Sequence, residues 1–255
     1  TLPAVTADSG AGTQVMNKDA TIHSHHISQQ FNADLQEIKN NLLEMGGMVE
    51  KQLSDAIDAI ITADSGLGAL VREDDAAINA MEIRIDEECN RILARRQPAA
   101  SDLRLVLAII KAVNDLERIG DESAKIARLA IELTEQGESS KGYVEIRHIG
   151  EHVRRMVYMA LDAFARYDID AALAVAREDV SVDMEYSSAM REMITYMIED
   201  PRSITRVLNI VWALRALERV GDHAKNIAEH VIYLVKGTDV RHLGLEGLEK
   251  RVRPD

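Results

Sequence analysis

The chain has 255 residues, 46% of them hydrophobic but only 4% aromatic, and a formal net charge of −13. That charge speaks against a duplex nucleic-acid partner, whose phosphates are neutralised by Lys and Arg, and against an anionic lipid surface. Good helix formers dominate and there are only four prolines, so an all-α protein is expected.

The opening TLPAVTADSGAGTQV has neither the basic start nor the apolar core of a signal peptide, and residues 1–27 read as a disordered tail. His23, His25 and His26 fall in it, where any metal uptake would be incidental. Three helices are expected next, over Ser28–Ala63, Ala69–Arg96 and Ser101–Gln136. Pro98 stops the second and Ser101 caps the third. The single cysteine, Cys89, excludes an internal disulfide or a thiolate zinc cage, fits a reducing cytosol, and reads as core. Residues 28–137 thus make a first three-helix unit. EQGESSKG follows as the linker signal, with the linker proper at 138–142.

Helices over Val144–Ala165, Asp168–Glu199 and Ser203–Lys236 make a second unit, residues 143–236, with Pro201 and Ser203 repeating the stop and the cap. After Gly237 the periodicity fades, and 237–255 reads as a C-terminal tail. No apolar run reaches the length needed to span a bilayer. The second unit copies the first. MGGMVEKQLSDAIDAI at 45–60 resembles IGEHVRRMVYMALDAF at 149–164, DDAAIN at 74–79 resembles EDVSVD at 178–183, and Leu103–Ala127 aligns with Ile204–Ala228 without a gap. Three blocks in the same order mean one duplicated unit, hence two tandem three-helix bundles.

The third helix of each unit carries an apolar seam, Leu116 and Ile119 in one, Leu217 and Val220 in the other, at coiled-coil spacing. On the far flank each unit writes LERxGD, so Glu117 faces Asp121 and Glu218 faces Asp222 one turn on. Such like-charged pairs are mildly destabilising unless a cation answers them. Lys125 and Lys225 could do so locally. Gly120 and Gly221 sit between the acids in mid-helix, where Gly is unfavourable but admits a close backbone or ligand. Asp179 and Asp183 on the neighbouring helix, Glu229 three turns after Glu218, and His223 add donors that suit Mg, Mn, Fe or Zn. The first unit offers Asp75 but has Asn79 in place of Asp183 and Arg128 in place of Glu229, so it should bind metal more weakly.

An interior di-iron centre would need Glu-x-x-His motifs aimed into a bundle, and the one such spacing, Glu145 to His148, lies by the linker. Trp212 and the methionines read as core, and Arg95-Arg96, Arg154-Arg155 and the C-terminal Lys250, Arg251 and Arg253 as solvated faces.

QFNADLQEI (30–38), RRQPAASDLR (95–104), LERIGD (116–121), AFARYDID (163–170) and LERVGDHAKNIAE (217–229) resemble the PhoU family, regulators of the phosphate-specific transport system, over His23–Leu243. The resemblance implies two three-helix bundles related by a pseudo-twofold. It also implies a cytoplasmic, non-enzymatic adaptor between the phosphate ABC transporter ATPase and a membrane sensor histidine kinase. Such an adaptor restrains phosphate uptake and the phosphate-starvation regulon, commonly as a homodimer, and reaches the membrane only through protein partners. The family's surface metal motif, an acid and an Asp four positions on, matches Glu117 with Asp121, Glu218 with Asp222 and Asp179 with Asp183, while Asp75 meets Asn79. The alternative is a metal-dependent phosphohydrolase using the same carboxylates, disfavoured because no general acid and no Lys or Arg phosphate clamp stands beside the motif.

Overall fold

The computed structural model describes residues 13–96, 98–137, 142–241 and 243–252, with side chains from residue 29 onward. Residues 1–12 of the expected tail, the His23, His25 and His26 side chains, and 138–141 of the expected linker lie outside the described residues. The elements are helices α1 (Thr13–Thr62), α2 (Ser65–Arg95), α3 (Ala100–Glu135), α4 (Tyr143–Arg166), α5 (Ile169–Glu199), α6 (Ile204–Lys236) and α7 (Leu245–Val252), with a 3₁₀ turn at Pro201–Ser203. Contacts divide the chain into two compact units, Thr1–Glu37 and Ile38–Asp255. In the first, the residues from Thr13 are helical, where a tail was expected as far as 27, and Gln30 Nε2 donates to Asp34 Oδ1 (2.9 Å). The second holds two three-helix bundles, α1 from Ile38 with α2 and α3, and α4 with α5 and α6.

The duplication is visible in the local chemistry. Ala63 and Tyr167 both take left-handed φ (54° and 56°) and end α1 and α4. Asp64 and Asp168, the next residues, cap α2 and α5 by accepting from Leu67 N (2.9 Å) and Ala171 N (3.0 Å). The bundles meet at matching positions. A Cβ on Gly46 would lie 2.6 Å from Leu161, and one on Gly150 3.0 Å from Ile57. Gly46 aligns with Gly150 and Ile57 with Leu161, so α1 and α4 cross by a reciprocal exchange of a glycine and a large side chain, which is what a pseudo-twofold requires. Arg154 adds a strut between the bundles, donating to Ser54 O and Asp58 Oδ1 (both 2.7 Å), so it is not merely a solvated charge.

The second helices stop ahead of Pro98 and Pro201, as expected. The serine caps are not formed. Ser101 lies inside the first turn of α3 and donates to Asp102 Oδ1, and Ser203 Oγ donates to Asp200 O (2.8 Å). Pro201 opens a 3₁₀ turn, and Asp200 caps that turn instead, accepting from Arg202 N (3.2 Å). Gly142 starts α4 at φ 84°, where a Cβ would also strike Ile210 at 2.6 Å. Within the expected C-terminal tail, Leu245–Val252 is helical. α7 buries Leu248 and Val252, packs on α5, and accepts from Arg177 through Glu249 (2.8 Å).

The seam positions Leu116, Ile119, Leu217 and Val220 are fully buried, as is Cys89, whose thiol is pushed up to about 12 by burial and so stays protonated and inert. Trp212 departs from expectation. It is 52% exposed and outside the core. Among the described residues, no helix is long and apolar enough to cross a membrane.

Candidate functional site

In the second bundle α6 presents Glu218 and Asp222, and α5 presents Asp179 and Asp183. Asp183 and Asp222 are exposed and Glu218 half-buried, but Asp179 is only 2% exposed and Glu229 6%, so these two are not surface groups. Asp179 Oδ2, on α5, accepts from Lys225 Nζ of α6 (2.6 Å), and Glu229 lines a cavity with Asp115, His230 and Arg241. Glu218 Oε1 accepts from Arg215 Nη1 (2.6 Å), and its buried Oε2 has no hydrogen-bond partner. Burial, then mutual repulsion, raises Glu218, Asp222 and Asp183 above the usual carboxylate range, with Arg215 and Lys225 only partly offsetting it. Burial pushes Glu229 furthest, to about 7.

The first bundle repeats the arrangement with different partners. Burial raises both Glu117 and Asp121, Asp121 adding to the first and Asp75 to the second. Arg118 stands between them, 3.4 Å from Glu117 and 3.7 Å from Asp121. The expected bridge from Lys125 to Asp121 is not made, since Lys125 Nζ pairs with Glu122 (3.2 Å). Asp75 is held by amides, its two oxygens accepting from Gln52 Nε2 (3.1 Å) and Asn79 Nδ2 (3.3 Å). Glu82, which was not anticipated, is raised by burial and then by Asp86, with Asp121 adding to it. It lies two turns after Asp75, a spacing at which it could have been found.

The mid-helix glycines serve packing. A Cβ on Gly120 would stand 3.2 Å from Gln52 Oε1, and one on Gly221 would meet Val153, Val182 and Met156 at ordinary distances. What comes close is a neighbouring helix of the same bundle.

Unshared carboxylate oxygens and the orphaned Glu218 Oε2 are the hard donors that a Mg, Mn, Fe or Zn ion takes. As placed, no three His, Cys, Asp or Glu groups among the described residues converge on one such point. A metal would draw Asp183, Glu218 and Asp222 together, while Asp179 is engaged by Lys225. Glu145 and His148 line a groove of about 310 Å³ with Glu185 and Glu192 between α4 and α5, on the outside of the bundle.

His223 is committed elsewhere. Asp115, on α3, accepts from His223 Nδ1 (2.9 Å) and Asn226 Nδ2 (3.0 Å) through Oδ1, and from His230 Nε2 (2.9 Å) through Oδ2. Burial alone would raise the Asp115 carboxyl, but these three donors more than offset it and hold it below its usual value. Arg219 Nε reaches Glu122 (2.8 Å) along the same interface, where α3 packs on α6. A cavity of about 800 Å³ opens beside this hub.

A PhoU domain profile matches residues 42–130 and 146–231, one copy for each bundle. The chain belongs to the PhoU family. Among curated PhoU relatives, the phosphate-specific transport system accessory protein PhoU homolog of Pseudomonas aeruginosa is 65% identical over 238 residues, 93% of this chain and 98% of the relative. The accessory protein PhoU of Escherichia coli K12 is 49% identical over 225 residues, 88% of this chain and 93% of the relative. A crystal structure of PhoU from Pseudomonas aeruginosa superposes with a TM-score of 0.80 at 66% identity, covering 82% of this chain and all of that one. The phosphate transport system regulatory protein PhoU of Streptococcus pneumoniae gives 0.76 at 30%, covering 82% of this chain and 99% of that one. Both LERxGD pairs, Asp179, Asp183 and the Asp115 hub lie within the matched PhoU intervals.

Proposed function

We propose that the chain is a regulatory accessory protein of phosphate transport. In this reading it restrains uptake and the phosphate-starvation regulon from the cytoplasm, as an adaptor between the transporter ATPase and the sensor histidine kinase. The observation that carries the reading is end-to-end similarity to named accessory proteins, 98% of the Pseudomonas aeruginosa relative being covered. The acids support it physically. Asp121, Asp183 and Asp222 lie exposed on the outer faces of long helices, a broad surface suited to partner recognition. The cations nearest the acids are already paired, Arg215 with Glu218, Lys225 with Asp179, and Arg118 with Glu117 and Asp121, which leaves the phosphohydrolase reading without a free phosphate clamp. A metal ion, held by Asp183, Glu218 and Asp222, would supply positive charge that joins α5 to α6 or to a partner. Homodimerisation belongs to the same proposal.

A reporter of a phosphate-starvation promoter tests it. Loss of the protein is expected to switch the reporter on in phosphate-replete medium, and the wild-type chain to switch it off again. A reporter that stays silent without the protein would overturn the reading.

A further inference from the structure

Two exposed apolar lines run along the outside of the second bundle. Ile194 and Ile198 lie one turn apart on α5, and Ile204, Leu208 and Trp212 continue in steps of four on α6. Ile198 is 75% exposed and Trp212 52%. The two helices pack against each other and are joined by Pro201–Ser203, so Ile198 and Ile204 flank the turn and the lines run away from it together.

The duplication supplies an internal control. At the aligned positions the first bundle has Asn90, Ala94 and Lys111 for Ile194, Ile198 and Trp212, but keeps apolar residues, Leu103 and Leu107, for Ile204 and Leu208. Both bundles build the same three-helix core, so Ile194, Ile198 and Trp212, apolar in only one of them and on its outside, are not there for the fold. Contiguous apolar surface of this kind marks a contact site.

Charge identifies the occupant. Followed away from the turn, the same faces reach Asp183 on α5 and Glu218 and Asp222 on α6. Arg215 stacks near the Tyr186 ring at the changeover (5.9 Å) and is itself paired to Glu218. The acids repel one another, and Glu218 Oε2 is buried without a donor. The face is therefore apolar at one end and short of positive charge at the other. An anionic membrane would be repelled by the second end, and a second copy brings a net charge of −13 to it.

We infer that in the metal-free chain this face seats an amphipathic helix of a partner protein, its apolar side on Ile194, Ile198, Leu208 and Trp212 and its Lys or Arg end over Asp183, Glu218 and Asp222 in place of a metal ion. This rests on the adaptor reading and names the surface that performs it.

Trp212 is the only tryptophan, so its fluorescence reports this face directly. The full chain, kept in chelator so that the acids are metal-free, is titrated with a synthetic helix of about 20 residues carrying a leucine stripe and lysines at one end. A saturable blue shift is expected, weakened about tenfold or more by Leu208→Ser and by the pair Asp183→Asn and Asp222→Asn, and by replacing the peptide's lysines with glutamates. Leu208 is exposed, and an unchanged melting curve verifies that its variant is folded. Three results would each overturn the inference: no saturable shift, a shift indifferent to Leu208→Ser, or an emission already shielded in a dimer that Leu208→Ser dissociates. The adaptor reading is judged separately by the promoter reporter and can survive any of them.

Discussion

Asp115→Ala is expected to lower the free energy of unfolding by about 3 kcal/mol, the range for breaking a buried, charge-assisted network from one side. The variant would strand donors on His223, Asn226 and His230 inside the α3–α6 interface, where His230 is 95% buried and water cannot replace the carboxylate freely. Asp115→Asn keeps the shape and can still accept one or two of the bonds, so a smaller loss of about 1–2 kcal/mol is expected. Urea unfolding followed by circular dichroism reads both. A loss under about 1 kcal/mol for the alanine variant would show that the hub does not hold the bundles together. The pH dependence has a fixed sign. The folded carboxyl titrates below its unfolded value, so the hub's contribution is complete above about pH 4 and is lost as pH falls through the folded value.

Glu229→Gln should act in the opposite sense. Burial lifts this carboxyl from 4.5 to about 7, so between those values the folded chain holds a proton that the unfolded chain has released. Stability at this site is therefore greatest below about pH 4.5, declines as pH rises toward 7, and has fully declined above that. The amide removes the buried charge without changing the shape. At pH 8 in chelator it is expected to stabilise the chain by about 2 kcal/mol, less than the full linkage value because the side chain borders an open cavity. At pH 4.5 the two proteins should melt together. A variant that destabilises the chain at pH 8 would mean that the ionised Glu229 has a partner the geometry does not reveal.

The helices, their order and the duplication were legible because each rests on local pattern: a single apolar seam, proline stops and repeated blocks. The hub was not legible, and the reason is physical. α3 and α6 each bury two faces, one inside the bundle and one against the other bundle. The second face runs through Asp115 and Glu122 on α3 and through His223 and His230 on α6, and polar residues at heptad spacing do not register as a seam. They also escape the duplication, since Asp115 aligns with Ala216 and His230 with Leu129. His223 was accordingly read with the neighbouring acids when its ring belongs to Asp115. The acid pairs were found by spacing alone, but spacing does not give depth. It could not separate exposed Asp183 and Asp222 from buried Asp179 and Glu229, because depth depends on which segments pack over each position. Trp212 was misread for the related reason that apolar spacing on a helix defines a face without saying what covers it.

The central claim is that the outer face of the second bundle is a recognition surface. Membranes from cells grown in high and low phosphate, solubilised and captured on the tagged chain, test it most directly, with the transporter ATPase and the sensor kinase quantified in each eluate. Both partners are expected with the wild-type chain, and at least about tenfold less of one of them with Glu218→Ala combined with Asp222→Ala, the double variant remaining folded. Equal recovery of both partners by the two proteins would contradict the account.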